Sequence, residues 1–278
     1  MFLKINQNQF NIKKDYRPKP MLFTNKNQIS NRIIVLVPFR NVGNYIIDCV
    51  SSILGQEYNN YEVYLLDDAS DDGTIVLIDD DLPNFYKRIN NSRIGALENI
   101  YQALVTESFL DEDIIIILDG DDYIFGEFAF QIVNSKYHDD ALLTYGSYIT
   151  NYGFYDPSSP YTEEEFNMLR QTTWKASHLK TFKYKLFKAF LDQDPNVENF
   201  RYSDNRYGDN RFYMSTYDQA LMLPLLEIAG YENCLFIQNV IYCYRLHKDN
   251  DHATDEGRKL QLEAFYDIRS RPPLNRKF

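Results

Sequence analysis

The sequence predicts an α/β fold with a mostly parallel central sheet flanked by helices, on three observations. The chain opens strand–helix–strand: Ile33-Ile34-Val35-Leu36-Val37, then an apolar helical pattern, then Glu62 to Leu66. That alternation marks a parallel sheet. The run Ile114-Ile115-Ile116-Ile117-Leu118 is apolar throughout, as a strand covered on both faces is. Finally, two strands end in aspartates, Asp67-Asp68 and Asp119-Gly120-Asp121-Asp122, which makes the ligand-binding C-terminal rim acidic. Carboxylates crowded on one rim repel unless a cation, or a ligand carrying one, lies between them.

The elements follow in order. Residues 1 to 30 are polar, broken by Pro18 and Pro20, and predict an extension. The first strand is expected to stop at Pro38. Ile46, Ile47, Val50, Ile53 and Leu54 recur at helical spacing, with Asn44 as the expected N-cap and Gly55 at the end. Leu97, Ile100, Tyr101, Leu104 and Val105 predict a second amphipathic helix before the Ile114 strand. Phe128, Ile132 and Val133 suggest a helix, and Ala141 to Tyr145 a strand. Thr162-Glu163-Glu164-Glu165 reads as a capping box. Leu179, Phe182, Leu186, Phe187 and Phe190 predict one helix that would carry His178. Residues 192 to 210 read as a loop, and Tyr217 to Ala229 as a helix that Pro224 kinks or restarts. Leu235 to Tyr244 predicts a strand. The segment from Asp249 is polar, so one domain over residues 31–255, divided near residue 125, is expected to be followed by a tail over 256–278.

Composition narrows the function. The 278 residues carry a net charge of −11, which argues against nucleic acid as a partner. Acidic sites favour metals or metal-bound phosphates instead. Cys49, Cys234 and Cys243 have no CxxC spacing and read as buried thiols of a reducing compartment. No apolar run approaches the about 20 residues of a membrane span. A soluble, cytoplasmic protein is expected, with at most a peripheral membrane attachment.

The motifs supply the chemistry. No GxGxxG or GxxxxGK[ST] follows the first strand, which sets aside a dinucleotide site and a P-loop. Pro38-Phe39-Arg40-Asn41 would leave backbone groups free at the rim to bond a nucleotide. In Asp67-Asp68-Ala69-Ser70-Asp71-Asp72-Gly73-Thr74, one carboxylate could accept the N3–H of uracil; a solvated turn would read the same. Asp119-Gly120-Asp121, with Gly between its carboxylates, suits a hard divalent cation and the pyrophosphate it carries. Trp174, the sole tryptophan, either offers a ring face to a ligand or anchors a helix.

In order, Pro-Phe-Arg-Asn, DDASDDGT, Arg93-Ile94-Gly95-Ala96-Leu97-Glu98-Asn99 and LDGDD resemble the GT-A fold glycosyltransferases of family 2. The resemblance is close over about residues 32 to 150 and looser to about 255. It implies an inverting transferase that moves a sugar from a nucleotide-sugar donor, expected to be UDP-linked, to a glycan, protein or lipid-linked acceptor with Mn²⁺ or Mg²⁺. Asp68 would contact the nucleoside, with Pro38, Phe39, Arg40, Arg93, Gly95 and Gly120 around the donor. Asp119 and Asp121 would hold the metal and the diphosphate. Where the family often has Glu-Asp at a helix start, this chain has Asp218-Gln219, leaving Asp218 as the expected base and Asp204 or Asp209 as substitutes. Tyr244-Arg245-Leu246-His247 matches a family ending whose histidine completes the metal or phosphate site, with His252 as its rival. Trp174 would face the acceptor. Two other readings remain: a GT-A module kept for binding alone, and a sugar-phosphate nucleotidyltransferase, which Pro38 to Gly43 fits poorly.

Overall fold

β-Branched residues dominate Ile33–Val37 and Ile114–Ile117, the strands at the centre of the larger sheet, and amphipathic runs between strands form helices. The computed structural model describes residues 30–156, 158–204, 208, 210–248, 250 and 254–278. In chain order the elements are β1 (Ile33–Phe39), α1 (Ile46–Leu54), β2 (Tyr61–Asp67), β3 (Phe85–Ile89), α2 (Ala96–Thr106), β4 (Ile114–Ile117), β5 (Tyr123–Ile124), α3 (Ala129–Lys136), β6 (Leu143–Gly146), β7 (Tyr148–Thr150) and β8 (Tyr155–Asp156). Then come α4 (Glu163–Phe166), β9 (Ser177–Lys183), α5 (Tyr184–Gln193), α6 (Tyr217–Ala229), β10 (Cys234–Phe236), β11 (Tyr242–Tyr244) and α7 (Asp255–Ser270). Residues 31–278 form one compact unit. The expected N-terminal extension lies, through residue 29, outside the described residues.

A seven-stranded sheet runs β10-β6-β9-β4-β1-β2-β3, parallel except where β9 pairs with β4 and β6. A smaller sheet runs β5-β11-β7-β8. Alternate side chains of β1 enter different cores. Ile34 and Leu36 pack with α2 and α6, and Ile33, Val35 and Val37 pack with α1 and α3. Both faces are therefore covered, which explains the unbroken apolar runs of β1 and β4. Fully burying each such side chain is worth roughly 1.5–3 kcal/mol.

Several expectations change. Leu179 and Phe182 do not lie on a helix: they belong to β9, as does His178, and the helix starts at Tyr184. Residues three apart on a strand face opposite sides, so Leu179 enters one core and Phe182 the other. The strand expected from Leu235 to Tyr244 is two, β10 and β11, in different sheets, separated by exposed Gln238 and Asn239. Tyr45, not Asn44, is the N-cap of α1, without a side-chain cap bond. Helix α6 runs unbroken through Pro224. The expected polar tail carries α7, capped by Thr254 and seated through buried Ala264 and Ile268. Its first turns are charged, Asp255, Glu256, Arg258 and Lys259, which hid the helix. The capping box at Thr162 and Glu165 is present.

One buried ion pair ties this C-terminal region together. Arg170 meets Glu227 on α6 at 2.6 and 2.8 Å and also donates to the Ile268 carbonyl of α7 at 2.8 Å. Leu274 N donates to the same Glu227 carboxylate. Removing one member of a buried pair strands the other charge. Arg170→Ala is expected to destabilise the fold by about 3–5 kcal/mol, visible as an earlier midpoint in urea unfolding.

Candidate active site

The site grows from the C-terminal ends of β1, β2 and β4. Each aspartate at this rim has a distinct environment. Asp67 is buried and accepts from Ser70 N at 2.9 Å, closing a turn. Asp68, 5% exposed, takes Ile94 N at 2.7 Å and Gly95 N at 3.0 Å, so its carboxylate clasps the segment leading into α2. Arg93 Nε lies 4.0 Å from Asp68, while its side chain is largely exposed. Arg40 braces the same loop by donating to the carbonyls of Asp68, at 2.7 Å, and Ala69.

The expectation of free backbone groups at Pro38 is not met. Strand β1 continues to Phe39, the Pro38 carbonyl accepts from Gly120 N at 3.1 Å, and the Phe39 carbonyl accepts from Asp68 N at 2.9 Å. These bonds knit the ends of β1, β2 and β4 into one ledge. Gly120 is required there, because a Cβ would lie 2.5 Å from the Phe39 Cβ. Gly95, at φ +94°, faces Met214 as closely: a Cβ would lie 2.7 Å from its sulfur.

The second acidic string divides its labour. Asp119 accepts the phenolic hydrogen of Tyr217, from the first turn of α6. Burial pushes the Asp119 carboxyl up to about 6; the charge of Lys180 opposes this, and the carboxylates of Asp121 and Asp218 add to it. Asp121 Oδ2 lies 2.9 Å from His247 Nε2. Asp122 is fully buried and structural: it accepts from Tyr242 Oη at 2.5 Å and Arg245 N at 2.7 Å. Burial and the two neighbouring carboxylates hold its acid form well above the usual range.

The Tyr244–His247 segment wraps this string. Arg245 Nε donates to the Asp121 carbonyl at 2.8 Å, and its guanidinium sits 5.0 Å from the Tyr45 ring and 5.2 Å from the Tyr123 ring. His247 N donates to Asn250 Oδ1 at 2.7 Å, which aims the imidazole at Asp121.

Of the expected metal ligands, Asp121 and His247 meet, Asp119 is turned to Tyr217, and His252 lies outside the described residues. Among the described residues, no group of three or more His, Cys, Asp or Glu side chains forms a ready-made cage. One carboxylate and one imidazole nonetheless fit a cation that takes its remaining ligands from substrate phosphates and water.

A cleft of about 1150 Å³ gathers the expected donor residues: Pro38, Phe39, Arg40, Asp68, Arg93, Gly95, Asp119, Gly120, Asp121, Asp218 and His247 all line it. Trp174 lines a second cleft of about 660 Å³ and packs against the core, but it leads into strand β9 and not into the helix expected there. The two clefts share His178, Asp218 and Tyr244. Asp218 is half-buried and, among the described residues, accepts no hydrogen bond and forms no ion pair. Its neighbour Gln219 accepts from Arg269 Nε of α7 at 3.2 Å, giving the unusual glutamine a structural bond. Asp204 lines neither cleft, and Asp209 lies outside the described residues.

Sequence reasoning missed Tyr217, Lys180 and the α7 wall formed by Arg258, Gln261, Leu262 and Phe265. Adjacency to Asp218 was the one signal available for Tyr217. The i, i+3, i+4, i+7 spacing of the α7 positions was a signal for a helix face, obscured by the charges between them.

A mostly parallel sheet with an acidic rim, one antiparallel strand inserted and a second small sheet beneath the cleft is the GT-A architecture. Residues 34–207 match the family described as glycosyl transferase family 2. The chain belongs to that family. It is 30% identical over 205 residues to the glycosyltransferase GlyG of Streptococcus pneumoniae serotype 4, covering 67% of this chain and 66% of GlyG. Its fold resembles S. aureus TarS 1-349 in complex with UDP (TM-score 0.57, 18% identity, 82% of this chain and 64% of that one). It also resembles the mannosyltransferase PcManGT of Pyrobaculum calidifontis in complex with GDP-Man and Mn²⁺ (TM-score 0.57, 17% identity, 89% and 66%). The chain thus spans just under two thirds of the length of each. Among the described residues, no helix is long and apolar enough to cross a membrane.

Proposed function

We propose that this chain transfers a sugar from a UDP-sugar to an acceptor hydroxyl, with inversion and with help from a divalent cation. The observation that carries this reading is the meeting of two clefts at one carboxylate, Asp218, which has no partner among the described residues. The larger cleft holds the acidic rim and suits the donor. The smaller, with Trp174 on its wall, suits the acceptor. That TarS and PcManGT are complexed with a nucleotide or a nucleotide-sugar supports the donor class, and the Mn²⁺ of the latter supports the metal.

Asp121 and His247 would hold the cation, which when bound offsets the charge that builds on the leaving diphosphate. Asp218 takes the proton of the acceptor hydroxyl as that oxygen attacks the anomeric carbon. The bond from that carbon to the phosphate oxygen breaks, and UDP leaves from the opposite face. Tyr217, one residue before the base, holds Asp119 through its hydroxyl and so ties the base's helix to the donor rim.

The test is ligand-induced stabilisation. UDP with Mn²⁺ is expected to raise the melting temperature, by an amount corresponding to about 2.7 kcal/mol at a hundredfold excess over Kd. UDP with a chelator should give much less. A nucleotide panel in which UDP and the UDP-sugars leave the melting temperature unmoved would refute the donor assignment.

A further inference from the structure

Lys180 has no part in the reaction described above, yet its setting is unusual. The side chain is 2% exposed and lines the donor cleft. Among the described residues no carboxylate pairs with its ammonium; its hydrogen-bond partner is the His178 ring, 3.1 Å away at Nδ1. An ammonium carries three donors, and the ring uses one. The ring itself is fixed, stacked on Tyr242 at 4.3 Å, and the Tyr242 hydroxyl is held by Asp122. Burial and the Lys180 charge keep His178 well below its ordinary pKa, hence neutral and able to accept. The charge of Asp119 is felt at the ammonium, but among the described residues no carboxylate bonds it, which leaves two of its three donors for ligand oxygens.

Strand order says which oxygens. The sheet runs β2-β1-β4-β9. Asp68 stands just past the end of β2, Asp119 and Asp121 follow β4, and Lys180 lies on β9 opposite Ile117. A donor laid across this rim, nucleoside at Asp68 and diphosphate at Asp121, brings its sugar to β9. There His178 lines both clefts, next to the acceptor.

We propose that Lys180, positioned by His178, binds oxygens of the sugar being transferred and helps decide which nucleotide-sugar is accepted. The proposal rests on the donor reading above.

Lys180→Met keeps the length and removes the charge. Calorimetric titrations with Mn²⁺ would compare UDP with UDP-glucose, UDP-galactose, UDP-N-acetylglucosamine and UDP-glucuronate on both proteins. The expected result has UDP affinity unchanged, while the UDP-sugar that wild type binds best weakens about tenfold or more. The ligand-free variant should melt close to wild type, because the lost ammonium bonds only the His178 ring and no carboxylate among the described residues. Lys180→Arg, which keeps the charge but moves its donors, should retain UDP and reorder the sugars. Equal weakening of UDP and UDP-sugars would make Lys180 a diphosphate ligand and overturn the proposal. Unchanged affinities, or a lower melting temperature without ligand, would overturn it too. Wild type binding neither UDP nor any UDP-sugar would remove the donor reading and this inference with it.

Discussion

Asp121→Ala is expected to abolish transfer and erase the metal response of donor binding. The neighbouring carboxylates cannot stand in. Asp119 accepts the Tyr217 hydroxyl, and Asp122 is sealed beneath Tyr242 and the Arg245 amide. Without Asp121, His247 is left as a lone imidazole, a poor anchor for a hard cation. Loss of the group that offsets leaving-group charge should cost about 10³-fold or more in rate. Two measurements check this: sugar-dependent UDP release, and UDP affinity with and without Mn²⁺. In wild type the metal should tighten UDP; in the variant the two affinities should coincide. A variant that still responds to Mn²⁺ would assign the cation elsewhere.

Asp218→Asn should separate binding from chemistry. The amide has the same shape but cannot take the acceptor's proton. Because Asp218 makes no hydrogen bond among the described residues, the exchange breaks no contact within the fold. UDP affinity and melting temperature should therefore hold, while kcat falls about 10²–10⁴-fold. Turnover at the wild-type rate would remove Asp218 as the base. The pair of variants also distinguishes two failures: loss at Asp121 should appear in donor binding, and loss at Asp218 only in transfer.

Much of the acidic rim was legible in the sequence because local rules govern it. Apolar strands deliver their next residues to the rim, so Asp68, Asp119 and Asp121 could be placed from strand ends alone. The tasks of individual carboxylates were less visible. Asp122 looks like part of the acidic string, yet its partners Tyr242 and Arg245 lie over a hundred residues away. Asp68 read as a base-contacting group, and the structure adds a clasp on the Ile94 and Gly95 amides. The second half misled for a different reason. β9 lies between β4 and β6, so its apolar residues serve two cores and mimic helical spacing. Lys180 and His178 could not be located until that strand was recognised. In α7 the buried residues are few, and the charged start of the helix masks its apolar positions.

The antiparallel insertion of β9 also bears on how such enzymes could be recombined. The strand sits between the ledge of β1, β2 and β4 and the outer pair β6 and β10, and its residues reach both clefts through His178. A chimera that joins one relative's front half to another's back half would inherit a mismatched seam if it crossed over inside Ser177–Lys183. A crossover placed after α5 would leave β9 beside β4 and β6 of its own parent, whereas one before β7 would set it against two foreign neighbours, since both strands precede β7 in the chain.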